Sequence, residues 1–545
     1  MRWFGWGAPG STTVELPPAA GRLLRDELGA GERHTPPVSL EEVRLPEPAL
    51  GAEARSRLAG IVGEEHVLDD RLTRVSRAAG RSYTDLIRLR SGDGSGAPDA
   101  VVRPGGTAEV AAVLAACDVE RVAVVPFGGG TSVVGGVEAL RGGCSAVVAL
   151  DLGRMDRLLG VDRASLLASF EPGVSGPRAD TLLASRGLTL GHFPQSHEFA
   201  TIGGYVATRS AGQASTGYGR IDELVHGVHL TAPAGELVAK PLPASAAGPD
   251  LRELIVGSEG TLGVITEATL SVRPLPQRRR YEGWSFASFE QGCDALRAIE
   301  QSGQSPDVAR LSDERETRLA MALASSGSAA ERAAMAYVRL RGQENGCLVI
   351  LGYEGGERDV AHRRSHTRSL MRANGGVALG ARPGDVWLRG RYAGPYLRDA
   401  LLDRGVLVET LETATTWSRL GELHRAVGNA LSEALGARGT PPLVMCHVSH
   451  LYASGASLYF TFIAAQQEGA ELEQWRAAKT AASDAIVAHG GTITHHHAVG
   501  RDHAPWMRAE VGELGLDLLR AAKERLDPRG IMNPGKLLPD PSLQS

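Results

Sequence analysis

The run Pro126-Phe127-Gly128-Gly129-Gly130-Thr131-Ser132-Val133-Val134-Gly135-Gly136 leaves few folds open to this chain, because it follows directly on a β-branched stretch at 122–126. Three successive glycines leave main-chain N–H groups unobstructed, and such groups can line a concave nest for an anion. Thr131 and Ser132 add hydroxyl donors, so the loop suits a diphosphate. No Gly-Lys-Ser/Thr follows, which excludes a Walker loop, and no GxGxxG opens a long helix. Taken alone, the run fits a tight turn between strands equally well.

Two further stretches have the same texture. Phe193-Pro194-Gln195-Ser196 leads into Ala200-Thr201-Ile202-Gly203-Gly204-Tyr205-Val206-Ala207-Thr208 and then Ser210-Ala211-Gly212-Gln213. About fifty residues on comes Gly257-Ser258-Glu259-Gly260-Thr261-Leu262-Gly263-Val264-Ile265. Each sets small residues, hydroxyls and glycine beside an apolar strand, as a flat ring system and a diphosphate lying on main chain would require. Glycine makes up 68 of 545 residues, against a usual share of roughly 7%. The excess is aperiodic, so it points to tight turns and close backbone approaches, not to a fibre.

Around these loops the pattern alternates. Strands are expected at 122–126, 146–150, 165–170, 227–232 and 264–272, with helices at 109–116 (Thr107 as N-cap) and 178–186. Pro274, Pro276 and the basic run Arg278–Arg280 suit a boundary. Beyond it, helices at 289–301, 330–340, 357–373 and 417–435 alternate with strands at 348–353, 443–448 and 457–462. The layout predicts an α+β chain in four parts: an extended N-terminal arm and helical region at 1–94, a two-subdomain cofactor domain at 95–277, a second α+β cap or substrate domain at 278–490, and a C-terminal segment at 491–545.

Composition excludes some functions. A net charge of −5 gives no basic face for nucleic acid, and the clusters Arg278–Arg280 and Arg363, Arg364 and Arg368 are expected to be solvated surface. Five scattered cysteines without a CxxC pair suggest reduced thiols in a cytoplasmic setting. No apolar run reaches the length of a membrane span, and Met1–Gly10 offers no apolar core of a signal peptide. Peripheral membrane contact stays open.

In this order and spacing the three glycine-rich segments resemble the FAD-binding domain shared by vanillyl-alcohol oxidase, the flavin-carrying polypeptide of glycolate oxidase and D-lactate dehydrogenases. The resemblance implies FAD, with the pyrophosphate on the Gly128–Gly130 loop and the other two segments lining the flavin. Asn533-Pro534-Gly535-Lys536-Leu537 is similar to that family's C-terminal return to the cofactor. Trp3-Phe4-Gly5-Trp6-Gly7 and the consecutive His495, His496 and His497 before Val499-Gly500 narrow the likeness to the alkyldihydroxyacetonephosphate synthases. Tyr459, Arg398 and Arg310 match positions that carry that family's functional tyrosine and arginines.

The likeness implies non-covalent FAD, a homodimer and a lipid-like substrate. The implied reaction exchanges the acyl chain of acyl-dihydroxyacetone phosphate for a fatty alcohol without net redox change. Tyr459 and the histidines would move protons, and Arg398 would hold a phosphate or the departing carboxylate. The alternative is an FAD-linked oxidoreductase acting on a 2-hydroxy acid. If 495–497 is extended, His495 and His497 share a face and His496 takes the other. No carboxylate or further histidine stands at a spacing that completes a metal site, so none is expected.

Overall fold

The structure, a computed structural model, describes residues 1–12, 14–324 and 328–539. The β-branched stretches sort into three main sheets. In the first, the strands Val67–Leu68, Ala100–Val102, Ala146–Asp151 and Val122–Phe127 lie in that order, the last three parallel. The second is antiparallel, in the order Leu158–Asp162, Leu167–Phe170, Val264–Ser271, Val225–Ala232, Gly235–Ala239. A third, seven-stranded and antiparallel, runs Val377–Gly380, Arg278–Phe286, Cys347–Gly355, Val308–Ser312, Leu443–Tyr452, Gly455–Ala465, Val406–Thr416. The chain leaves the smaller sheets after Pro274 and enters the large one at Arg278.

Period-two alternation governs the large sheet. Leu407 and Leu411, Cys446 and Val448, and Leu458, Phe460 and Phe462 face a core closed by the helices Phe289–Gln301, Glu357–Ala373, Trp417–Gly436 and Glu471–Ala488. The intervening residues face the other way, toward a cavity beneath the two smaller sheets. That second face carries the function.

Some expectations change. The first helix of the cofactor region is Thr107–Glu120 and its N-cap is Gly106, so Thr107 is the first helical residue. The Glu109 carboxylate reaches back to accept from the Gly105 N–H at 2.7 Å, satisfying a donor just ahead of the helix. The N-terminal arm is not extended: Trp3 and Trp6 are buried, and the helices Pro18–Leu28 and Ala52–Val62 pack on the body. Arg278–Arg280 are exposed as expected. By contrast, Arg364 and Arg368 converge on the buried Glu282, and Arg363 pairs with the buried Asp307, so this cluster braces the sheet.

Candidate active site

Three loops build one wall of a cavity of about 640 Å³. A Cβ on Gly129 would stand 1.9 Å from the Phe199 carbonyl oxygen, so only glycine lets the first loop pack against the second. Gly130 sits at φ +64°, a left-handed conformation that glycine adopts freely. Among the described residues, the main-chain N–H groups of 129–133 find no protein acceptor. They form the donor set a diphosphate needs. The C-terminal return closes behind: Asn533 Nδ2 donates to the carbonyls of Gly136 (3.1 Å) and Glu259 (2.6 Å), and Leu537 N to Gly500 (3.0 Å). The Glu259 carboxylate in turn accepts from the N–H groups of Val499 and Gly500, both at 2.8 Å, and so ties the third loop to the histidine segment.

The opposite wall is the outward face of the large sheet. Arg310, His447, Ser449 and Tyr459 line it at one end, and Val408, Met445 and Ile463 at the other. The register explains the neighbours, since Tyr459 stands across from both His447 and Glu412. The Tyr459 ring stacks on His447 at 4.8 Å and meets His497 edge-on at 5.4 Å. Burial pushes the Tyr459 hydroxyl up to about 12, so it keeps its proton at neutrality. Burial also depresses His495, His496 and His497, the last to about 3, leaving neutral rings able to accept a proton.

The histidine segment is not a strand, and the expected alternation fails. His496 and His497 both line the cavity, whereas His495 lies behind them with its Nε2 2.6 Å from the Tyr452 hydroxyl. The cause is Glu412, which accepts from the main-chain N–H groups of all three histidines and from the Thr494 hydroxyl (2.7 Å). Burial alone would raise the Glu412 carboxyl, but the adjoining imidazoles and the Thr494 bond hold it well below the usual range. The sheet also supplies a histidine that sequence spacing did not offer. His450 stacks on His495 at 5.0 Å, and the ring nitrogens of His450, His495 and His496 lie within 4.8 Å of one another, compact enough for a metal ion. In the structure the Nδ1 atoms of His495 and His496 face each other at 2.9 Å.

Two arginines meet at the same cavity. Arg398 Nη1 donates to the Arg81 carbonyl at 2.6 Å, while Arg398 Nε and Nη2 and Arg81 Nε have no hydrogen-bond acceptor in the protein. Burial, and then the neighbouring Arg398 charge, bring Arg81 down to about 10, still charged at neutrality. Arg398 Nη2 also stands 3.6 Å from Asp399 Oδ1, and the nitrogens of this buried and half-buried pair that lack hydrogen-bond acceptors suit an anion. Arg310 is differently placed, for its Nη2 bonds Glu316 (2.8 Å) and faces His447 Nδ1 (3.0 Å).

Of the residues expected to contact the cofactor, the cavity wall includes Pro126, Gly128, Gly129, Gly130, Thr131, Ser132, Pro194, Ser196, Thr201, Gly203, Gly204, Thr208, Ser210, Glu259, Gly260, Gly263 and Ile265. Gly212 and Val264 do not reach it. Gly212 packs against the Phe193 main chain, and the Val264 side chain belongs to the core under the first sheet. Sequence reasoning missed Arg81, Glu412, His447 and His450.

Residues 98–239 match the family described as FAD binding domain, and residues 275–537 the family described as FAD linked oxidases, C-terminal domain. The glycine loop and its free donors fit that cofactor. The alkyldihydroxyacetonephosphate synthase of Dictyostelium discoideum is 33% identical, over 99% of this chain and 93% of the relative. That of Trypanosoma brucei brucei is 34% identical over the same shares. A solved alkyldihydroxyacetonephosphate synthase structure superposes with a TM-score of 0.86 at 31% identity, covering 98% of this chain and 99% of the other. Similarity at this level, end to end, makes the chain an FAD-binding member of the alkyldihydroxyacetonephosphate synthase family.

Proposed function

We propose that this protein exchanges the acyl chain of acyl-dihydroxyacetone phosphate for a fatty alcohol, with FAD held non-covalently. One observation carries the reading: a single sheet face grades from polar to apolar. At one end stand Tyr459 and His447, beside the loops that suit FAD. At the other, Val408, Met445 and Ile463 join Leu24 and Ala30 in an apolar cluster, with Leu23, Leu319 and Leu401 packed against it. A 2-hydroxy acid needs a small polar pocket and has no use for that apolar end. Two long chains do.

The exchange breaks the bond between C1 and the acyl oxygen and forms a bond from C1 to the alcohol oxygen. The acyl group leaves as a carboxylate, and the alcohol gives up a proton. FAD, when bound, supplies the reactive ring at which the exchange takes place. Arg398 and Arg81 hold the phosphate through nitrogens that have no hydrogen-bond acceptor among the described residues. Tyr459 keeps a proton beside the departing group, and His496 and His497, which face the same cavity, take up the proton that the alcohol gives up. The apolar walls keep out water, which would otherwise compete with the alcohol.

Residues 95–277 hold the cofactor, 278–490 carry the substrate face, and the N-terminal region and the C-terminal segment close the site. The apolar end, approached past Leu16, Ala20 and Leu23, supports peripheral contact with a lipid surface, and a homodimer belongs to the same reading. No helix among the described residues is long and apolar enough to cross a membrane.

The test is anaerobic, with purified flavoprotein, palmitoyl-dihydroxyacetone phosphate, hexadecanol and no electron acceptor. Release of palmitate with stoichiometric ether product is expected. If no exchange occurs and D-lactate or another 2-hydroxy acid reduces the flavin, the proposal is wrong.

A further inference from the structure

Glu412 is 1% exposed and lines no part of the cavity, yet four donors converge on it. The N–H groups of His496 (3.1 Å) and His497 (2.8 Å) and the Thr494 hydroxyl (2.7 Å) all bond Oε1, and the His495 N–H bonds Oε2. Three successive N–H groups can meet one carboxylate only if the chain bends away from the extended form. That bend sends the rings of His496 and His497 into one cavity although they are adjacent in sequence. Nearby, the same strand holds the segment through Thr415 Oγ1 to the Gly490 carbonyl (3.0 Å), Thr492 N to the Ala414 carbonyl (3.0 Å) and Thr413 Oγ1 to the Thr492 carbonyl (2.6 Å), and Glu510 accepts from Ile493 N (2.9 Å). Those bonds fix its root up to Ile493, and the main-chain N–H groups of 495–497 go to Glu412.

We propose that Glu412 is the positioning residue of this site: by gathering three successive main-chain N–H groups, its carboxylate sets the direction in which His496 and His497 enter the cavity. The anchor sits on the strand that also pairs with Tyr459, through Glu412 opposite Tyr459, so tyrosine and histidines are held in register by one residue. An uncharged amide of the same shape turns its NH₂ either on the one N–H at Oε2 or on the two N–H groups and the hydroxyl at Oε1, and it loses the charge that draws all four donors together. The role extends the acyl-exchange reading and rests on it for its kinetic consequence alone.

The experiment uses the FAD-loaded full-length protein and Glu412→Gln. Hydrogen exchange of the amides of 495–497 should accelerate about tenfold or more while those of Val499 and Gly500, held by Glu259, and of the large sheet keep their protection. In the acyl-exchange assay kcat should fall about tenfold or more, with KM for the acyl substrate within about threefold. Uniform acceleration across the chain would mean only a weakened fold, and unchanged exchange at 495–497 with kcat within about twofold would mean no anchoring; either overturns the proposal. If Glu412→Gln does not load FAD, Thr494→Val decides. It removes one of the same bonds and should give the same local pattern with a loss of about threefold, and no local change in it refutes the role. Should the wild type catalyse no exchange at all, the functional reading fails while the amide arm still judges Glu412.

Discussion

At the residue scale, Tyr459 and Arg398 ask to be tested separately because they act on different terms of the rate. A hydroxyl held near 12 by burial keeps its proton and can serve only as a donor until a base approaches it. Tyr459→Phe removes that proton while leaving the stacking on His447 intact. The expected outcome is a kcat loss of about 10²-fold or more with KM little changed, read from steady-state acyl exchange. Arg398 grips by two nitrogens of a planar fork, Nε and Nη2, that have no hydrogen-bond acceptor among the described residues. Lysine offers a point charge in place of the fork. Arg398→Lys should therefore raise KM for the acyl phosphate about tenfold or more, and less for the alcohol, in the same assay.

At the element scale, the outward face of the large sheet sets chain length by its register. Ile463 stands opposite Val408 and Leu443, in the apolar stretch beyond Tyr459. Ile463→Trp adds volume where the cavity accepts hydrocarbon, so the alcohol preference should move toward shorter chains. Relative kcat/KM across a series of alcohols measures it, and an unchanged profile would place the chain elsewhere. This face also marks how far the sequence was legible. The glycine loops could be read because glycine and hydroxyl chemistry is local and lies within a few residues. Tyr459, Arg310 and Arg398 could be found only through likeness to a family. Glu412, His447 and His450 could not be read, since a strand shows its alternation but not which strand it will pair with. The histidine segment misled for the same reason. Its alternation was argued from an extended chain, and the carboxylate that bends it lies more than eighty residues away. Arg363, Arg364 and Arg368 misled too, because the buried acids that pair with them, Asp307 and Glu282, come from distant parts of the sequence.

At the scale of the whole molecule, the site depends on holding together segments that are distant in sequence, and Glu138 is where three of them meet. Its carboxylate, 3% exposed, bonds Arg88 at 2.6 Å from the helix Tyr83–Arg90 and also Arg501 from just past the histidine segment. Its carbonyl accepts from Lys536 of the C-terminal return at 2.9 Å. Burial would raise this carboxyl, but Arg88 and Arg501 outweigh it and bring it down to about 2, from an ordinary 4.5. A folded value below the unfolded one means that the unfolded chain binds the extra proton as pH falls. The stabilisation is then complete above about pH 4.5 and drains away toward pH 2. Glu138→Gln removes it at every pH and leaves Arg501 without this partner and Arg88 with Asp85 alone, which should lower Tm by about 3–4 °C at pH 7. Below pH 4.5 the wild type loses what the variant never had, so the two melting curves should converge. Flavin release should follow melting in both, since the same contact holds the segments that enclose the cofactor loop. A gap in Tm that stays constant from pH 7 to pH 3 would mean that Glu138 acts through packing and not through its charge.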